Sequence, residues 1–429
     1  MPNEFKSLPF DPADPKAALA QLPQSPAVFA LYGADTHAEP YIGRTPNLHS
    51  RLERLLEPSP RHPRRLHLAG LVRRIEWRLT GSEFESLLVQ FDLLQKVYGA
   101  KAPDQTIARM HLRAPAFVRF LGGNPYPRVT VTHRPSLREA DWAYGPFPSR
   151  AAAERYAEEA LKLFLLRRCT FDLAPDPSFP GCVYSEMRMC LAPCYKGCTD
   201  ERYAEEAAAV QDFLATRGEG RLVALRAQRD QASANLEYES AAALHAELQR
   251  VEAVRSLAAE LVRPLGRLRA VILQSSANPD EVAVFLFENG RFRGPAGFST
   301  LSMKIREMQG TREQENREQG VENGEDDEVE ALAEDFGVIA TAPAKIPRGV
   351  LEARMESALA VLAAPSGAPS PTVRQGHLAL IKRWYYRPEA RRAGEIFFPD
   401  ADNRWPIKAI LRGVGRVAAG KLKSSVSAA

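Results

Sequence analysis

The sequence predicts an α+β, multi-domain protein. Three observations carry that expectation: a hairpin-and-helix unit near the N-terminus, a helical block over residues 201–262, and a return to strand patterning after Pro264. A length of 429 residues suits several domains. Apolar residues make up 45% and charged residues 26%, with a net charge of +4, which excludes a histone-like chain and a wholly disordered one. No apolar run reaches the roughly 18 residues a membrane helix needs. The first residues carry acids and lack the apolar stretch of a secretory signal, so a cytoplasmic protein with no membrane partner is expected.

The elements follow in chain order. Residues 1–25 are a Pro- and Ala-rich lead-in with a short helix. Residues 26–44 hold two apolar runs about a polar turn, the pattern of a β-hairpin. Over 46–57 a helical period sets Leu48, Leu52, Leu55 and Leu56 on one face. Residues 74–80 alternate as a strand, and 83–98 form a helix after the start signal Gly81-Ser82-Glu83. Short strands are expected near 116–121 and 128–132, then a helix over 149–168 with Ser149 as N-cap. The 201–262 block lacks Pro and has Gly only near 218–220, which predicts two or three helices including an antiparallel pair. Strands at 269–293 precede a low-complexity stretch, 306–330, with ten acids and three arginines. That stretch cannot bury enough apolar surface and is expected to be disordered. Helix returns within 331–363, and 364–371 reads as a linker into a basic, aromatic tail. The expected units are therefore 1–110, 111–200, 201–262, 263–363 and 364–429.

Two constellations carry chemistry. Tyr41, Ile42 and Gly43 end a strand and Arg51 follows on the next helix, which makes a phosphate-handling corner of a phenol, a guanidinium and a close-approach glycine. Nine arginines lie from Arg44 to Arg78, among them Arg54, Arg64 and Arg65, against three acids. Such a face neutralises phosphates without reading bases. The second constellation gathers all five cysteines between Cys169 and Cys198. This excludes a disulfide framework spread over the chain and points to one metal centre, with zinc and an iron–sulfur cluster both compatible.

The Tyr41-Ile42-Gly43 element, Arg51 and the helix over 83–98 resemble the GIY-YIG nuclease domain of the UvrC excinuclease family. By motif the resemblance covers about residues 22–110 and extends to about 260. It implies a small α/β domain in which a first-motif tyrosine helps activate water, an arginine stabilises phosphoryl charge and a helix glutamate holds a divalent metal. Tyr41 and Arg51 stand at their positions. Phe29 occupies the place of the first-motif tyrosine and Gln90 that of the metal glutamate. Phe29 has no hydroxyl to exchange a proton, and a neutral amide is a poor ligand for Mg²⁺ or Mn²⁺. The expectation is a DNA-binding protein of nucleotide excision repair with an impaired or inactive nuclease site. The alternative is an active metal-dependent endonuclease making a single incision beside a lesion.

The resemblance continues through the cysteines. It implies a four-iron cluster on Cys169, Cys182, Cys190 and Cys194, with Pro193 before the last and Cys198 in excess. Arg167, Arg168 and Arg188 flank the cysteines, either as charge offered to a DNA backbone or as plain solvated charge. Beyond it, Leu236, Tyr238, Glu239, Ala241 and Ala242 resemble the UVR motif, which implies UvrB as a partner. His245 and Ala246 replace that motif's later polar pair. The family's ribonuclease-H-like nuclease is not recognisable in the C-terminal half. There Trp384, Tyr385, Tyr386, Phe397, Phe398 and Trp405 alternate with basic residues, which suits either base stacking or a small aromatic core. The stretch 411–415, with Gly413 and Gly415, resembles a helix-hairpin-helix turn. Setting 306–330 aside, at −7, leaves +11 on the remaining chain.

Overall fold

The computed structural model describes residues 4–35, 37–57, 66–99, 102, 105–301, 347–365 and 367–420. The acidic stretch 306–330, Arg64 and Arg65 lie outside these residues.

The N-terminal unit runs β1 (Lys6–Pro9), α1 (Pro15–Leu19), β2 (Ala27–Gly33), β3 (Tyr41–Thr45), α2 (Leu48–Leu56), β4 (Val72–Leu79) and α3 (Glu83–Tyr98). Its strands form one antiparallel sheet in the order β1-β4-β2-β3. Side chains alternate along β2, so Ala27, Phe29 and Leu31 meet the α2 leucines while Val28 and Ala30 meet Val89 and Leu93 of α3. The edge strand β1 falls inside what the sequence reads as a lead-in. Ser82 caps α3 by accepting the Glu85 N–H at 3.1 Å.

The middle of the chain contains α4 (Gln105–Arg109), β5 (Ala116–Phe120), β6 (Val129–Thr132), β7 (Ala143–Phe147), α5 (Arg150–Leu161), α6 (Val183–Glu186), α7 (Asp200–Thr216), α8 (Glu219–Ala234), α9 (Tyr238–Ser256) and β8 (Arg263–Pro264). The strands order as β6-β5-β7-β8. One core joins Val118 and Tyr144 of the sheet to Tyr156 of α5, Tyr203 and Phe213 of α7, Leu222 of α8 and Val251 of α9. Helix α5 stops at Leu161, short of the expected 168, and Phe164 and Leu166 turn into this core instead. Arg255 pairs with Glu219 at 2.7 Å, across the two helix ends farthest from their shared turn, so α8 and α9 run antiparallel.

The C-terminal unit has β9 (Ala270–Ser275), β10 (Glu281–Glu288), β11 (Arg291–Ser299), α10 (Arg348–Leu362), α11 (Pro371–Tyr385), β12 (Glu395–Phe397) and α12 (Ile407–Ala418). Its antiparallel sheet orders β11-β10-β9-β12. Val271, Leu273 and Val284 face α10 and α12, whereas Ile272 and Phe285 face α3 and α11.

Helix α3 is therefore apolar on two faces because it is covered on both sides. Its second face, Phe84, Leu87, Leu88 and Phe91, packs on Leu378, Ile381 and Trp384 of α11 and on Phe285 and Phe292 of the sheet. Gly376 sets the approach of α11: a Cβ there would lie 2.1 Å from the Phe91 ring. Trp384 is buried, and its indole N–H donates to the Ala393 carbonyl at 3.0 Å. The Tyr386 hydroxyl donates to the Pro146 carbonyl at 2.9 Å. Of the two readings the alternating aromatics allowed, a packed core fits Trp384 and Phe398, not an exposed stacking platform. Each large apolar side chain so buried stabilises the docking by about 1.5–3 kcal/mol. The helix-hairpin-helix expectation is corrected, since Gly413 and Gly415 lie inside the continuous helix α12. Gly413 serves close packing: a Cβ there would lie 2.5 Å from the Phe397 ring and 3.0 Å from Leu273.

Candidate nuclease-like surface and thiol cluster

Strand register builds the first site. Phe29 of β2 lies opposite Gly43 of β3 and opposite Trp77 of β4. A Cβ on residue 43 would come within 2.7 Å of the Phe29 Cζ, so glycine makes room for the ring. The rings of Phe29 and Tyr41 are 6.2 Å apart at their centroids. Asn47 caps α2 by accepting the Ser50 N–H at 3.0 Å, which places Arg51 one turn into the helix. From there Arg51 Nη2 donates to the Tyr41 hydroxyl at 3.2 Å. Arg54 is exposed, with its Nε donating to the Ser50 carbonyl at 2.9 Å. The structure thus brings Tyr41, Gly43, Phe29 and Arg51 together.

The carboxylates near this surface are committed elsewhere. Glu83 accepts two hydrogen bonds from Arg387, at 2.8 and 2.9 Å, and pairs with Arg44 at 3.5 Å. Those bonds from Arg387 hold its carboxyl below the usual range against partial burial. Arg44 is therefore half of an ion pair. Glu85 is buried, which raises its pKa; it accepts the Gly81 N–H at 2.9 Å and pairs with Arg78 at 3.6 Å. Asp92 faces His377, 3.7 Å from its Nε2. Gln90 is half-buried on α3 between Val89 and Phe91. Among the described residues no carboxylate pairs with Arg51, and no three of His, Cys, Asp and Glu are close enough to hold a single ion.

The second site lies in the loops between α5 and α7. Cys182 caps α6, with its N–H donating to the Ser185 hydroxyl at 3.0 Å. The Ala192 N–H donates to the Cys190 sulfur at 3.3 Å, and Ala192 and Lys196 take left-handed backbone angles around Cys194. Burial first, then the charges of Cys169, Cys194 and Cys182, push the Cys190 thiol up to about 11. Cys194 likewise senses Cys182 and Cys169. The thiols of Cys169, Cys182, Cys190 and Cys194 thus lie near enough to act on one another electrostatically, without any three of them being close enough to hold one ion, while Cys198 stands beside Asp200.

Arg167 departs furthest from the sequence expectation, being neither at a DNA-facing surface nor solvated. It is 1% exposed and cannot reach a DNA backbone. Its Nε donates to the Tyr126 carbonyl at 2.9 Å, and Nη1 to the Phe171 carbonyl at 2.8 Å and the Cys169 sulfur at 3.5 Å. Nη2 is buried without a partner. A buried guanidinium with no carboxylate calls for negative charge nearby, and deprotonated thiolates would supply it. Arg168 turns back to the Leu161 carbonyl at 2.9 Å, and Arg188 is exposed. No sequence signal separates these three arginines, because burial depends on the distant Tyr126.

At the turn between α8 and α9, Leu236 and Tyr238 are each 68% exposed, and Glu239 and Ala242 are also exposed. Ala241 is half-buried, while Leu248, Val251 and Val254 anchor α9 in the middle core.

Residues 118–213, which include all five cysteines, match the UvrC/Cho excinuclease middle domain family. The chain is UvrC-like. It is similar to UvrABC system protein C of Alcanivorax borkumensis, 28% identical over 286 residues, or 66% of this chain and 46% of that relative. It is also similar to UvrABC system protein C of Pseudomonas protegens, 28% identical over 57% of this chain and 39% of the relative, and of Klebsiella pneumoniae, 29% identical over the same shares. The chain spans about half the length, or less, of the curated relatives it matches. No solved structure matches it. No helix of the described residues is long and apolar enough to cross a membrane.

Proposed function

We propose that this chain binds damaged DNA in nucleotide excision repair, through a GIY-YIG-like surface that engages phosphate but is impaired in cleavage. The observation that carries the reading is the Arg51–Tyr41 hydrogen bond beside a Phe29 with no hydroxyl, together with an uncharged Gln90 on α3. Arg51 offers a guanidinium to a phosphate oxygen. With no carboxylate at Gln90, Mg²⁺ or Mn²⁺ has no anchor from that helix position.

Cys169, Cys182, Cys190 and Cys194 would hold a four-iron cluster, with zinc as the alternative. Their placement in one set of loops and the partly unpartnered Arg167, 3.5 Å from the Cys169 sulfur, support anionic sulfur there. When bound, the cluster would staple the loops between α5 and α7. The exposed turn carrying Tyr238, Glu239, Ala241 and Ala242 would be the contact for UvrB. The test is binding of lesion-bearing duplex measured against salt. Arg51→Ala should weaken binding and flatten the salt slope by about one unit. Equal affinity and slope in the two proteins would remove this surface from the DNA contact.

A further inference from the structure

Where α11 crosses the middle sheet, a cavity of about 220 Å³ opens between Pro115, Phe117, His133, Arg134 and Pro135 on one side and Thr372, Arg374 and Gln375 on the other. It continues through Arg134 and Gln375 into a groove of about 580 Å³ lined by His111 and Arg113. Among the described residues neither space has an Asp or Glu in its lining.

Arg374 is the centre of this site. It is 9% exposed, and its Nη2 donates to the Pro135 carbonyl at 3.1 Å. Its Nη1 is buried with no partner. Burial lowers its pKa with no carboxylate acting on it, yet a guanidinium stays protonated in a protein. On its far side the lining contains one carboxylate, Glu288, and that is paired with Arg269 at 2.7 Å. Space for the buried stem comes from Gly290, at φ +73°, where a Cβ would lie 2.5 Å from the Arg374 Cγ.

A buried cation without a counter-charge among the described residues is costly, and Arg374 lines this chamber. Other donors converge. Arg134 is exposed at the mouth with no side-chain partner among the described residues. His133 uses Nδ1 on the Pro115 carbonyl at 3.0 Å, leaving Nε2. The first turn of the fifteen-residue helix α11 contributes Thr372 and its positive dipole end. Pro115, Phe117 and Leu378 give the chamber an apolar wall.

We propose that this cavity binds the phosphate group of a nucleotide, with Arg374 and Arg134 as its cationic ligands and the apolar wall against the sugar or base. The phosphate has two sources, a nucleic-acid strand end or a free nucleotide. No residue of the Arg51–Tyr41 surface lines the cavity, so the proposal stands apart from the reading above.

Calorimetry on the full chain with inorganic phosphate, adenosine monophosphate and adenosine tests it. The two phosphates should bind and adenosine should not. Arg374→Gln should weaken the monophosphate by about tenfold or more, the loss of one charge-assisted contact. Arg374→Gln is a core change, so Arg134→Ala, at an exposed position, provides the second variant: it should weaken binding severalfold with an unchanged melting temperature. A 5′-phosphorylated oligonucleotide that outbinds both its unphosphorylated twin and the monophosphate assigns the site to strand ends; equal affinity with the monophosphate assigns it to free nucleotides. Absence of binding by all the phosphorylated probes, or binding that Arg134→Ala leaves unchanged, overturns the proposal.

Discussion

At the nuclease-like surface regular strands and a helix hold the candidate side chains, while at the thiol loops short and irregular elements hold them. Strands β2 and β3 set Phe29 against Gly43 and present Tyr41 to Arg51, as a phosphate-handling corner requires. A phenyl ring fills that position as well as a phenol does, so packing does not defend the hydroxyl. A metal-binding position differs, because replacing a carboxylate by an amide keeps its shape and discards the charge that does the work. In the thiol loops nothing comparable substitutes for sulfur: the segment has short elements, left-handed residues at Arg188, Ala192 and Lys196, and a buried cation at Arg167. On the proposed reading, such a segment would gain order from a metal centre held by its thiolates.

The largest effect should come from the cysteines. Anaerobically purified protein should contain iron and sulfide, and Cys190→Ala should lose most of both; zinc without iron would refute the cluster. Gly43→Ala probes the other side of the contrast. It forces a methyl against the Phe29 ring and should destabilise the chain by about 1–3 kcal/mol, read as a lowered unfolding midpoint. An unchanged midpoint would mean the ring is not held by that glycine.

The smallest effect belongs to the clamp between the N- and C-terminal units. Glu83 is partly exposed, so Arg387→Ala should cost at most about 1 kcal/mol. Because Arg387 lowers the folded-state pKa of Glu83, the pair contributes fully above the unfolded carboxylate value of about 4.3. That contribution fades as pH falls through the lower folded value. Wild type and Arg387→Ala should therefore converge in stability in acid, and a gap that persists at the lowest pH would contradict the assignment.

What was legible in sequence was local. The β2–β3 hairpin, the leucine face of α2, the Ser82 and Ser149 caps and the spacing of the cysteines all depend on neighbours within a few residues. What was not legible depends on distant partners. Trp384 looks like a stacking residue until Phe84, three hundred positions earlier, packs on it at 5.4 Å between ring centroids. Arg167 looks like a surface charge until Tyr126 closes over it. Gly413 and Gly415 suggest a turn, since glycine is poor in helices, but close approach to Phe397 favours glycine within one. The Arg374 cavity is equally invisible, being built from segments more than two hundred residues apart.

The central claim is phosphate engagement without efficient cleavage, and a nicking assay tests it most directly. Lesion-bearing duplex should be bound by the full chain and remain intact with Mg²⁺ or Mn²⁺ present. Nicking by the wild-type protein that Arg51→Ala abolishes would contradict the account and establish an active endonuclease.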